Sequence, residues 1–220
     1  MNMGIVLGIV ILVIGISFTC SSDSLPMSNI EGFTTEGNIL YVGGSEGGNY
    51  TNIQDAIDNA SDGDIVFVYD DSSPYFETIV LDKPIDLIGE DRDTTVIENS
   101  HFTKAIGIKS NWININGFTI RNGSIQDWYG FSNIVISNNH IINQDEIDFG
   151  CGIILFYVKN FIINSNTFTN CGTSIKLNEC IKNVTISNNF FIYNSEANFG
   201  ECEIDCFEGE FITISNNTFL

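Results

Sequence analysis

Val184–Phe191 reads V-T-I-S-N-N-F-F, and the chain writes this phrase repeatedly. It returns as I-V-I-S-N-N-H-I at Ile134–Ile141, F-I-I-N-S-N-T-F at Phe161–Phe168 and I-T-I-S-N-N-T-F at Ile212–Phe219, with a looser copy, I-N-I-N-G-F-T-I, at Ile113–Ile120. Counted between the third residues, Ile115, Ile136, Ile163, Ile186 and Ile214, the steps are 21, 27, 23 and 28 residues. A recurring unit of that length marks a repeat architecture.

Within each copy two β-branched or aromatic residues stand two apart, so both point the same way from a strand. Small polar residues follow, then an apolar eighth residue: Ile120, Ile141, Phe168, Phe191 or Phe219. Apolar spacings of three and four, which a helix requires, are missing from these units. Each unit is therefore strand, polar corner, strand. Asn139, Asn166, Asn189 and Asn217 share one register, and asparagine tolerates the left-handed backbone that a corner demands. Stacked ~4.8 Å apart, their amides can bond to one another in a column, which needs coils of near-equal length lying on one another. The sequence thus predicts an all-β chain, a parallel β-helix solenoid. The alternative, a β-sandwich with Asn-rich hairpins, would favour Asn-Gly turns followed by strands of opposite phase. The four best copies keep one phase and contain no Asn-Gly.

The formal net charge is −20, from 8 basic and 28 acidic residues. Phosphate binding needs clustered Lys and Arg, so nucleic acid is excluded as a partner. Cations, neutral sugars or plain solvent suit such a surface. Gly4–Phe18 is an almost unbroken apolar run, the length of an export-signal core or a retained N-terminal anchor. Residues 1–20 are read as that signal or membrane anchor, with Cys20 where a lipid-modified cysteine would stand, and 21–38 as a linker. Residues 39–220 are read as the β-helix domain. Several Asn-x-Ser/Thr acceptors, among them Asn183-Val184-Thr185, are compatible with export. An extracellular or cell-envelope location follows from these readings.

Thr51–Ala60, T-N-I-Q-D-A-I-D-N-A, breaks the β pattern. Ile53, Ala56, Ile57 and Ala60 fall at helical spacing, Thr51 and Gln54 form a capping box, and Gly63 follows as a stop. A short amphipathic helix there would cover the open end of the solenoid. Strands are expected at Ile65–Tyr69, Thr78–Leu81, Ile85–Ile88 and Thr95–Ile97.

The run T-N-I-Q-D-A-I-D-N-A-S-D-G-D-I-V-F-V, with Y-F-E-T-I-V-L-D-K-P-I-D-L-I-G-E-D and T-T-V-I after it, resembles the opening of pectin-lyase-like right-handed parallel β-helix proteins. More narrowly it is similar to NosD-type archaeal and bacterial surface proteins. The resemblance covers about Ile39 to Leu220 and implies a right-handed parallel β-helix of roughly six or seven coils with an N-terminal helical cap. It implies less about chemistry, because one fold hosts unrelated functions. Pectin methylesterases share the opening, and Tyr75-Phe76-Glu77 is similar to one of their stretches. Their Q-D-T-L and L-G-R-P-W segments are missing here, and Asp148-Phe149-Gly150 is the one fragment of D-F-I-F-G, so a nucleophilic Asp has no Arg beside it. Pectate lyases need acids that bind Ca²⁺ and a nearby Arg, and neither Arg92 nor Arg121 sits in a matching motif. The N-T-D, D-D and G-H-G companions of polygalacturonases are missing around Asp70-Asp71.

Copper, which the NosD resemblance suggests, calls for His, Met and Cys ligands. With two His and three Met in the chain, no cofactor is expected, and His140 reads as a surface residue beside the Asn column. Asp145, Glu146 and Asp148 form one acidic cluster and Glu201, Glu203, Asp205, Glu208 and Glu210 another; either could gather oxygen ligands for Ca²⁺, with a solvated acidic edge as the alternative. Cys151, Cys171, Cys180, Cys202 and Cys206 crowd the last third of the chain. A gapless alignment places Cys151, Ser174 and Cys202 at one position. In an exported protein they are candidates for disulfides between coils, with free core thiols as the alternative and the pairing open. The chain ends at Phe219-Leu220, just past a corner and without a cap, which is read as C-terminal truncation.

The leading functional expectation is a non-catalytic surface module that binds polysaccharide or another envelope component, with sugar-stacking candidates Trp128, Tyr129, Phe156 and Tyr157. The alternatives are a lyase or hydrolase of acidic glycans, for which Asp127, Lys176 and Asp205 are the candidate outward row, and a purely structural stalk or adhesin repeat.

Overall fold

The computed structural model describes residues 37–45, 49–99, 104–143, 150–179, 181–192 and 203–220. The signal or anchor (1–20), almost all of the linker (21–38), Asp145, Glu146, Asp148, Cys180 and Cys202 lie outside the described residues. Among those described, every paired strand lies parallel to its neighbours. Three sheets result, an eight-stranded sheet A and six-stranded sheets B and C. The order within each sheet follows the chain in steps of one coil, so the backbone winds A, B, C and back to A about six times. This is a parallel β-solenoid. Asn38 is already part of it, since its carbonyl accepts from Ile65 N–H at 2.9 Å.

The repeats lie on one another in the predicted register. Ile115, Ile136, Ile163, Ile186 and Ile214 form one column of sheet A. The eighth-place residues form a column of sheet B, where the rings of Phe168, Phe191 and Phe219 stack at 5.1 and 4.8 Å between centroids. Phe168 and Phe191 are fully buried, and near-parallel rings add to the burial of their area.

Between sheets A and B runs the asparagine column. Asn139 Nδ2 donates to Asn166 Oδ1 at 3.2 Å, Asn166 Nδ2 to Asn189 Oδ1 at 3.2 Å, and Asn189 Nδ2 to Asn217 Oδ1 at 3.0 Å. Each Oδ1 also accepts the backbone N–H of the coil before it, from Asn139, Asn166 and Asn189 at 2.9–3.0 Å. The second amide hydrogen goes to the carbonyls of Ile115, Ile136, Ile163 and Ile186. Asn139, Asn166 and Asn189 are completely buried.

One expectation is corrected. The left-handed residue of the corner is not the ladder asparagine but the residue before it: Asn138, Ser165, Asn188 and Asn216 have φ of 53–57°. That twist turns the chain, so that the next side chain points inward. On the coil before Asn139 the corner is Gly117 (φ 85°), packed so tightly on Gly89 that a Cβ on Gly117 would meet the Gly89 carbonyl oxygen at 2.5 Å. The ladder begins there, with Phe118 N–H donating to Asn139 Oδ1 at 3.1 Å.

The helix spans Ile53–Asn59 and buries Ile53, Ala56 and Ile57 over the first coil. The expected Thr51–Gln54 capping box does not form: the N-cap is Asn52, which makes no side-chain cap bond, and the Gln54 side chain bonds Asp58 and Val80. Glu77, a coil later, instead accepts the N–H groups of Ile53 and Gln54 at 2.8 and 3.0 Å. Lys83 Nζ donates to the carbonyls of Ile57, Asp58 and Ala60 at the other end. Acid at the N-terminus and base at the C-terminus both complement the helix dipole. Gln54 is thereby released to bond the edge of sheet C, its Oε1 accepting from Val80 N–H at 2.8 Å.

Asn166→Ala removes the acceptor of the buried Asn139 N–H and the bonds to the Ile136 carbonyl and the Asn189 amide oxygen, with about 1–3 kcal/mol lost for a buried polar group left unpaired. The variant is therefore expected to lose roughly 3 kcal/mol or more in urea unfolding, read against Asn160→Ala on the exposed side. Equal, small losses in the two variants would contradict this account.

Candidate functional site

The outer face of sheet C and its corner with sheet A bring the aromatic candidates together. In sheet C, Ile125, Ile153, Ile175 and Ile204 point inward, and Gln126, Ile154, Lys176 and Asp205 outward. Trp128 follows on the outer side, 52% exposed, and stacks on Phe156 of the next coil at 4.6 Å between centroids and 18° between planes. Its indole is held in place, since Nε1 donates to Gln126 Oε1 at 2.7 Å and Gln126 Nε2 donates to Ser124 Oγ at 2.6 Å. Tyr157, 6.4 Å from Phe156, donates its hydroxyl to Glu179. Tyr129 packs edge-on to Phe131 at 6.2 Å.

Asp127 corrects the expected outward row. It occupies an inward position, paired with Leu155, and has no exposed surface. Its carboxylate accepts three backbone N–H groups, from Tyr129 (2.8 Å), Gly130 (3.0 Å) and Phe131 (2.8 Å). Asp127 is therefore the residue that shapes the turn carrying Trp128 and Tyr129. Gly130 (φ 80°) completes that turn, because a Cβ there would lie 2.9 Å from Tyr157 Cβ. Lys176 and Asp205 are register partners on adjacent coils, one column away from Asp127.

Beyond this corner stands an amide column that the sequence reading missed. Asn160 Nδ2 donates to Asn133 Oδ1 at 3.0 Å and Asn183 Nδ2 to Asn160 Oδ1 at 3.1 Å, and these contacts are solvent-exposed. All three residues are left-handed, as are Trp112 and Phe211 on the coils before and after them. The signal for this column was present: each asparagine lies immediately ahead of a buried strand residue, Ile134, Phe161 or Val184.

A second missed residue is Asp86, the register partner of Asn114 on sheet A. Burial pushes its carboxyl above the ordinary value, opposed by a hydrogen bond from Asn114. His140 occupies the outward slot shared with Thr167, Phe190 and Thr218, as expected from the repeat.

The cysteine register shifts by one. Ile153 pairs with Ile175, so Cys151 lies opposite Thr173, and Ser174 instead donates to Glu203 at 2.6 Å. One additional residue between Asn178 and Lys182, relative to their register partners Phe156 and Lys159, causes the slip, which a gapless alignment hides. Cys171 is buried, and desolvation pushes its thiol up to about 12, while Cys206 is exposed. Among the described residues no group of three His, Cys, Asp or Glu side chains is placed to hold a metal ion, and none forms a helix long and apolar enough to cross a membrane.

No family model matches the chain, and no curated protein does. Among solved structures it is similar to the crystal structure of a pectin methylesterase from Aspergillus niger in deglycosylated form. That match has 12% identity and a TM-score of 0.40, over 84% of this chain and 86% of that one.

Burial raises the carboxyls of both Asp86 and Asp127, with hydrogen bonds opposing it. A folded carboxyl raised above the unfolded value of 3.8 contributes stability that is full below that pH and is lost as pH rises through the folded value. Asp86→Asn removes one such group. Its urea midpoint should fall less than that of the parent between about pH 4 and about pH 7, and an identical fall in both would contradict the assignment.

Proposed function

We propose that this chain is a non-catalytic β-helix module that binds glycan at the Trp128–Phe156 corner. The observation that carries the reading is the exposed Trp128 ring stacked on the partly buried Phe156, with its indole held by Gln126 and its turn by Asp127. A rigid, half-exposed aromatic face offers the apolar side of a pyranose ring a stacking surface that loses little entropy on binding. The Asn133–Asn160–Asn183 amides, at the same corner and one per coil, supply hydrogen-bond donors and acceptors ~4.8 Å apart for sugar hydroxyls. Asp127 supports the non-catalytic reading, because its carboxylate is committed to three backbone donors. The apolar run Gly4–Phe18 supports export and an envelope location for the module, as the NosD-type resemblance implies.

One observation favours the rival, a lyase or hydrolase of acidic glycans: Lys176 and Asp205 are register partners on the outer face of sheet C. The two readings separate experimentally. Titration calorimetry with the neutral oligosaccharides cellohexaose and xylohexaose should show binding of at least one of them. Trp128→Ala should weaken it by about ten-fold or more while leaving the far-ultraviolet circular dichroism unchanged. Binding untouched by Trp128→Ala would overturn the platform. Unsaturated or shortened products from polygalacturonate, abolished by Lys176→Ala, would establish the enzyme instead.

A further inference from the structure

Only two arginines occur in this chain of net charge −20; Arg121 lies on the outer face of sheet B, where His140 also stands, and Arg92 lies in the turn that leads into the first strand of that sheet. Thr119 and Arg121 lie two apart on one strand, both on its outer side, with Thr119 the register partner of His140 and Arg121 that of Ile142. Arg92 arrives from the preceding coil. Its carbonyl accepts the Thr119 hydroxyl at 2.7 Å, which pins the Arg92 loop beside the His140 strand. His140 Nε2 is 3.0 Å from Thr169 Oγ1. Outward residues two apart on a strand are ~7 Å apart and neighbouring strands ~4.8 Å, so Arg121 and His140 fall within the reach of one saccharide unit, and the Arg92 charge is also close enough to act on the His140 ring.

The arginines are incompletely used. Arg121 Nη1 donates to Glu98 Oε2 at 3.2 Å, and its Nε is buried without a hydrogen-bond partner. Arg92 pairs through Nε with Asp93, a neighbour in sequence whose side chain is 70% exposed, an arrangement that contributes little. Each guanidinium carries five N–H donors in a fork that fits the oxygens of an oxyanion. Glu98 and Asp93 each occupy one edge and orient the fork. Burial and the two guanidinium charges hold the imidazole pKa of His140 below its ordinary value, with Asp93 opposing. At neutral pH the ring is therefore a neutral donor or acceptor, and the positive charge comes from the arginines.

We propose that Arg92, Arg121 and His140 form a binding site on sheet B for an oxyanion carried by a saccharide, a carboxylate or a sulfate ester. The site is independent of the Trp128 corner, which lies on a different sheet. Its test uses the histidine itself. The chain holds two histidines, so His101→Ala leaves His140 as the sole imidazole signal in proton NMR. Dextran sulfate, polygalacturonate and neutral dextran are added separately to the full chain. Dextran sulfate or polygalacturonate should shift the His140 signal, which one does so identifies the oxyanion, and neutral dextran should not. Arg121→Gln and Arg92→Gln should each weaken that binding by about ten-fold, while Trp128→Ala leaves it intact. If Arg121→Gln does not fold, Arg92→Gln alone decides. No shift with either anionic polymer, an equal shift with neutral dextran, full binding by the Arg92→Gln variant, or loss of binding in Trp128→Ala would each overturn the proposal.

Discussion

A buried asparagine amide is costly unless all its donors and acceptors are met, and in this solenoid other coils supply most of the partners of the ladder amides. Asn166 accepts from Asn139, donates to Asn189 and donates again to the Ile136 carbonyl. Every one of these partners lies more than twenty residues away in sequence. The amide column therefore locks coil to coil, and with it the register of sheets A, B and C. A slip of one residue would break the column and turn the apolar faces outward. The stacked phenylalanines add burial energy along the same axis, but an aromatic stack tolerates sliding, whereas a saturated amide column does not.

From that lock the candidate surfaces follow. A coil fixed in register presents its outward residues as straight columns, so chemistry placed on one coil meets the same column on the next. Trp128 finds Phe156 for this reason, and Asn133 finds Asn160 and Asn183. Glu98 and Arg121 meet in the same way, with Thr119 and His140 beside them. The aromatic corner is further stiffened by Asp127, a carboxylate turned inward to hold its own turn. A rigid scaffold with fixed spacing suits recognition of a repeating polymer, because successive coils and successive sugar units both advance by a few ångströms.

Much of this was legible in the sequence. The repeated phrase sets coil length, strand direction and the inward positions, since a period of two within a strand and more than twenty between strands leaves few arrangements. The ladder asparagines and the eighth-place apolar residues were readable because each copy repeats them in phase. What escaped was decided by partners a coil away. Nothing near Asn52 announces that Glu77 caps the helix, nor that Lys83 closes its other end. Asp127 looks like an exposed acid until the register places it opposite Leu155. The gapless cysteine alignment failed because coil lengths vary at the C-to-A corner, where an extra residue changes no core position.

The central claim is that the Asn139–Asn166–Asn189–Asn217 column holds the coils together. Side-chain amide hydrogen exchange followed by NMR tests it most directly. The Nδ2 protons of Asn139, Asn166 and Asn189 should exchange as slowly as the backbone N–H groups of sheet A, while those of Asn133, Asn160 and Asn183 exchange freely. Ladder amides that exchange as fast as the exposed ones would contradict the account.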